Sequence, residues 1–124
     1  MTVVQAITRA EKILPGKPAS KGERDARWQA IIKVGEFIET NPEEVWAFTE
    51  KWARHPQADL RAAIATCLLE HLLEYHFDLV FPRVEAAAAK SRRFADTFCR
   101  CWKFGQAKKP ANASRMDRLE KRLS

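Results

Sequence analysis

Shifted by 34 residues, this chain falls on itself without a gap. Asp25 lands on Asp59, Arg27 on Arg61, Val34 on Leu68 and Trp102, Ile38 on Leu72, and Ala30 on Ile64 and Phe98. The same offset puts Val45 on Leu79, Trp46 on Val80 and Cys67 on Cys101. The match is one of residue class more than of identity, and it runs through segments with apolar residues at every third or fourth place. A period in this range is that of helix-pair arrays, in which a pair cannot cover its apolar face until a neighbour stacks on it. Period-two alternation, the strand signal, is nearly absent. These features predict an all-α chain of six helices in about three stacked pairs, followed by a short C-terminal helix.

The helix boundaries follow from local chemistry. A first stripe, Val3, Ile7, Ala10 and Leu14, stops at Pro15-Gly16. Ser20 stands three residues before Glu23, the spacing of a capping box, so a second helix is expected there or slightly later, with Trp28, Ile31, Ile32, Gly35 and Ile38 inward. Asn41-Pro42-Glu43-Glu44 is the clearest start: a side-chain oxygen to cap, a proline with no N–H to leave bare, and two acids at the positive helix end. Val45, Phe48, Thr49 and Trp52 form that helix's apolar face. After His55-Pro56, a fourth helix carries Leu60, Ile64, Cys67, Leu68, His71, Leu72 and Tyr75. A fifth carries Phe77, Val80, Phe81, Val84 and Ala88, and a sixth, capped by Ser91, carries Phe94, Phe98, Cys101 and Trp102.

With 124 residues, one domain is expected, divided into a repeat body over 1–105 and a basic tail over 106–124. GQAKKPANAS reads as a solvated linker. Ser114 and Asp117 repeat the capping spacing ahead of a helix bearing Met116, Leu119 and Leu123, which is too short to persist unless it docks. The formal charge of +6 sits in this end: residues 100–124 hold eight Lys or Arg against two acids, and the other 99 residues carry 14 of each sign. Three scattered cysteines fit a reduced, cytoplasmic protein better than a disulfide framework. The N-terminus does not read as a signal peptide, and no stretch is long and apolar enough to suggest a membrane span.

His55-Pro56-Gln57-Ala58-Asp59-Leu60-Arg61-Ala62-Ala63 resembles the turn and second-helix start of HEAT repeats, and Pro82 resembles the proline often found in the first helix of such a pair. The resemblance covers roughly residues 20–104 and implies a right-handed α-α superhelix of the HEAT/ARM type, whose surface binds a protein partner or another copy. Pro82 itself reads as a kink or a late helix start. A narrower string, Glu50-Lys51-Trp52-Ala53-Arg54 followed by Asp59 to Ile64, is similar to a repeat of the HEAT-like DNA alkylation repair glycosylases. That likeness implies DNA on the inner face but assigns no catalytic residue.

Arg27 and Arg61, each with an aspartate nearby, are candidate contacts for phosphate or partner. The competing reading, favoured here, is a structural ladder between adjacent pairs. Lys108, Lys109, Arg115, Arg118, Lys121 and Arg122 are the candidate contacts of the tail: they suit nucleic acid, DNA or RNA, and equally a solubilising cap on the last repeat. The tryptophans are expected in the core with partnered indole N–H groups. Trp46 and Trp52 lie six apart and cannot share a narrow face, which makes Trp46 the candidate exposed aromatic. His71 and His76, five apart, are poorly placed for a shared metal, and no metal, cofactor or catalytic residue is expected. The function expected is that of a non-catalytic binding module, with a nucleic-acid binder as the alternative.

Overall fold

The computed structural model describes residues 1–16 and 25–124, so the Ser20–Glu23 capping expectation lies outside the described residues. The described residues are helical throughout their regular structure, as the apolar spacing predicts. The helices are α1 (Val3–Ile13), α2 (Ala26–Gly35) and α3 (Pro42–Trp52), then α4, which is α-helical over Ala58–Ile64 and Glu70–Tyr75 with a π turn, Ala65–Leu69, between. They continue with α5 (Phe77–Lys90), α6 (Arg92–Cys99), a 3-10 turn over Gly105–Lys108 and α7 (Pro110–Leu123).

Side-chain capping explains three of these starts. Thr2 Oγ1 accepts the Gln5 N–H at 3.2 Å while Gln5 Oε1 accepts the Thr2 N–H at 2.8 Å, a reciprocal box that opens α1. Asp25 caps α2 by accepting the Arg27 N–H at 2.9 Å, and Ser91 caps α6 through the Phe94 N–H at 3.1 Å. At α3 the proline and both acids fall in the first turn as expected. Asn41 does not cap it, because its Oδ1 accepts from the Thr40 hydroxyl at 2.8 Å instead. Helix α5 begins five residues before Pro82, so Pro82 marks no late start. The bond it cannot make is to the carbonyl of Asp78, an exposed residue.

The core is continuous. Helices α1 and α2 pack together, α2 meets the π turn of α4, α4 meets α6, and α5 closes on α6. Equivalent positions of the 34-residue match share burial in part: Ala30, Ile64 and Phe98 are all buried, as are Val34 with Leu68 and Ile38 with Leu72. Two positions diverge, since Leu79 and Trp102 are exposed where Val45 and Val34 are buried. Gly35 permits a close approach of α2 to α4: a Cβ there would stand 3.2 Å from the Cys67 carbonyl oxygen in the π turn. Thr97 Oγ1 donates to the Ala53 carbonyl at 2.7 Å, tying α6 to the end of α3.

Three side-chain expectations are corrected. Trp46 is buried, 6% exposed, because α6 covers the side of α3 that a single-faced helix would leave open, and its ring meets Phe94 edge-on at 6.0 Å. Ile32 is half exposed, on the outer flank of α2. The indole N–H of Trp52 is buried with no partner among the described residues; its ring stacks on His55 at 5.7 Å with Lys51 Nζ at 5.2 Å.

The tail is also corrected. What reads as linker is built structure: Ala107 is fully buried, and α7 starts at Pro110, four residues before Ser114. Met116 and Leu119 are buried, with Leu123 packed beside the core. The Gln106 side chain bridges two helix ends, donating to the Tyr75 carbonyl at 2.8 Å and accepting the Phe77 N–H at 2.9 Å. It thereby satisfies groups that the ends of α4 and α5 leave bare.

Candidate functional site

Arg27 and Arg61, 34 residues apart, each tie separate helices together through aspartates. Arg27 is 2% exposed. Its Nη2 reaches Asp59 at 2.8 Å and Asp25 at 3.3 Å, and its Nη1 donates to Gln57 at 2.9 Å. One guanidinium thus joins the start of α2 to the turn before α4. Arg61 does likewise: Nε and Nη2 donate to Asp96 at 3.1 and 3.0 Å, and Nη1 donates to the carbonyls of His55 and Pro56 at 2.8 and 2.9 Å. Asp96 also accepts from Arg100 Nε at 3.0 Å. The Arg27 hydrogen bond, opposed by burial, holds the Asp59 carboxyl below its usual 3.8. Burial works against Asp25 and Asp96 too, but their arginines prevail and lower both. With its donors engaged inside the fold, Arg27 offers little to an external phosphate.

Sequence spacing also placed Trp102 and Tyr75 in the core, and the structure exposes both, 72% and 43%. Helix α6 ends at Cys99, and residues 101–104 run on as a strap rather than a further helical turn. Three contacts hold the strap to the end of α4. The Trp102 N–H donates to Glu70 Oε2 at 2.9 Å, and Glu70 is itself buried. Phe104 stacks on the His71 ring at 5.7 Å, and His71 Nδ1 lies 2.7 Å from Glu74 Oε1. Gly105, at φ +50, turns the strap into the 3-10 helix where a Cβ would stand 2.7 Å from Glu74 Cγ. Burial pushes the Glu70 carboxyl above its ordinary value, against the opposing pull of the Trp102 N–H and His71. Trp102 lies in a depression of about 430 Å³ with Cys99, Arg100, Cys101, Lys103 and Glu120.

Because Gly105 must adopt a left-handed conformation against Glu74, Gly105→Ala is expected to destabilise the protein by about 1–3 kcal/mol in urea unfolding. A change below about 0.5 kcal/mol would mean that the strap is not anchored there.

A second depression, about 460 Å³, opens between α2 and α4 at the π turn and is lined in part by Ile32, Glu36, Glu39, Thr66, His71 and Tyr75. Of its exposed carboxylates, Glu36 is paired with Lys33 at 2.8 Å and Glu39 with no cation among the described residues, so the lining offers phosphate no surplus of positive charge. The cysteines form no disulfide, and burial raises the pKa of Cys67, Cys99 and, most strongly, Cys101, which favours the thiol over the thiolate at neutral pH. Among the described residues no group of His, Cys, Asp and Glu is placed to hold a metal, and none of the described helices is long and apolar enough to cross a membrane.

The tail cations divide. Arg115, Arg118, Lys121 and Arg122 converge on one groove beside α5. Lys108 and Lys109 are exposed at the start of α7 and do not line it. Trp102 was legible only through a helix end that the apolar stripe conceals. No protein-family model matches the chain, and no curated protein or solved structure matches it.

Proposed function

We propose that the chain is a non-catalytic helical-repeat binding module, a right-handed HEAT- or ARM-like stack of three helix pairs closed at its C-terminal end by α7. It acts as a cytoplasmic scaffold that holds a protein partner or a second copy of itself. The observation that carries this reading is Trp102: a tryptophan 72% exposed on a strap that a buried carboxylate fixes by its backbone N–H. Rigidly presented aromatic side chains are the usual anchors of protein interfaces. The stack is supported by the ladder, in which Arg27 and Arg61, one period apart, each bond an aspartate of the next unit. A nucleic-acid surface across the repeats has less support, since Arg27 is internal and the α2–α4 depression carries Glu36 and Glu39.

The test is a photo-reactive residue at position 102, compared with one at the similarly exposed Val4 on α1, in cells making the protein. A discrete adduct with one protein, or a cross-linked dimer, at 102 and not at 4 is the expected result. Equal labelling at both positions, or no adduct, would overturn the reading. Release of free base from alkylated DNA would overturn its non-catalytic part.

A further inference from the structure

Between α5 and α7 lies an open groove of about 600 Å³, lined by Phe81, Glu85, Arg115, Arg118, Lys121 and Arg122. The spacing of Arg115, Arg118 and Arg122 puts all three on one flank of α7, while Met116 and Leu119 turn to the core. The acids of α7 are drawn the other way: Asp117 binds Lys103 Nζ at 2.7 Å, and Glu120 borders the Trp102 depression. The groove is therefore left with four cations and one carboxylate. Arg115 is laid over the stacked rings of Phe81 and Phe77, 4.8 and 5.4 Å from their centres, which fixes its guanidinium at the groove floor. Arg122 makes a long contact to Glu85 at 3.4 Å, and among the described residues Arg118 and Lys121 are paired with no carboxylate.

We infer that this groove docks an acidic segment of the partner protein, one that carries apolar anchors between its carboxylates. The inference rests on the protein-binding reading and names the chemistry of the partner. Two features select this occupant over a nucleic acid. The lining of the groove is more apolar than polar, chiefly the alkyl stems of the cations above the buried Phe81, which suits apolar side chains better than a sugar-phosphate backbone. The cationic flank from Arg115 to Arg122 is also short, about 10 Å at the helical rise, with Glu85 inside it and a body of balanced charge beyond it. A long polyanion would find no continuation of the field.

The test uses the full chain and a fluorescein-labelled peptide of Asp and Glu with Leu at every third or fourth place. Controls are the same peptide with Leu replaced by Ala, the same with acids replaced by amides, a single-stranded and a duplex oligonucleotide, and phosphatidylserine vesicles. The acidic, Leu-bearing peptide is expected to bind, and each altered peptide to lose about tenfold or more. Arg118→Gln with Lys121→Gln should weaken it about tenfold without moving the thermal transition, whereas Arg9→Gln with Lys12→Gln on α1 should not. Glu85→Gln should tighten it several-fold by removing the like charge. Tighter binding of an oligonucleotide or of vesicles, indifference to the groove variants, or no peptide binding would overturn the inference. An adduct at position 102 that persists in any of these cases leaves the scaffold reading standing; loss of both removes both.

Discussion

Replacing Asp25 and Asp59 together by asparagine is expected to destabilise the protein by about 3–5 kcal/mol, because it leaves the buried Arg27 guanidinium with no opposite charge. Asparagine caps a helix nearly as well as aspartate, so the start of α2 should survive and the loss should report on the charge alone. Adding Arg27→Met to the pair should restore most of the stability, since an apolar side chain of similar length fills the site without a charge to neutralise. Arg27→Met alone should be milder than the double asparagine change, because Asp59, 52% exposed at its side chain, can turn to water once released. Urea unfolding of the four proteins measures all three differences. A double variant within about 0.5 kcal/mol of the parent would mean that the guanidinium is neutralised in some other way.

The same ladder sets a dependence on acid. Asp25, Asp59 and Asp96 all have folded pKa values below the ordinary 3.8. Their contribution to stability is complete above that value and disappears as pH falls through the lower folded values. Glu70 runs the opposite way: its raised pKa gives a contribution complete below 4.5 and lost as pH rises through its folded value. Acid unfolding of the parent should therefore begin below about pH 4 and be steeper than that of the Asp25→Asn/Asp59→Asn protein.

Deleting residues 106–124 is expected to have an even larger effect, although the tail's composition suggests a dispensable appendage. The deletion removes the buried Ala107, Met116 and Leu119, and with Gln106 the partner of both the Tyr75 carbonyl and the Phe77 N–H. Met116→Ala alone should cost about 2–5 kcal/mol, the range for truncating a buried side chain of that size. The whole loss should approach the marginal stability of a domain this small, about 5 kcal/mol or more, and leave no cooperative thermal transition by circular dichroism. A truncated protein that melts like the parent would show that the tail is not part of the core.

These two predictions mark where sequence reasoning reached and where it stopped. The buried faces of α3 and α5 follow from spacing alone, because a helix packed on one stripe repeats its apolar residues every third or fourth place. The structural role of Arg27 and Arg61 was legible from the aspartates that recur with them, although the acid facing Arg61 is Asp96, one helical turn past the place that strict periodicity assigns. The single-face argument fails at Trp46 because α3 is packed on more than one side, by α1 and α4 and by Phe94 of α6, and spacing cannot register the further neighbour. Trp102 was misjudged because the apolar stripe of α6 continues past Cys99 although the helix does not. The strap is held by Glu70, distant in sequence and recognisable only once the fold brings it there. In the tail, the stripe of Met116, Leu119 and Leu123 marks a short helix that must dock, and Pro110, a residue favoured at the first position of a helix, marks its true start inside a run of Gly, Lys and Asn that suggests a linker. Its docking depends on the bonds of Gln106 and on a cavity that admits Ala107, and neither leaves a pattern in sequence. The basic groove follows from the same docking, since only packing on α5 separates Arg115, Arg118 and Arg122 from Lys108 and Lys109.

The proposed division between arginines that hold the fold and arginines that face a partner is tested most directly by titrating the labelled acidic peptide into the Arg27→Met and the Arg118→Gln/Lys121→Gln proteins side by side. The expected result is parent-like affinity in the first and about tenfold weaker binding in the second. The reverse order, or a parent that does not bind, would contradict the account.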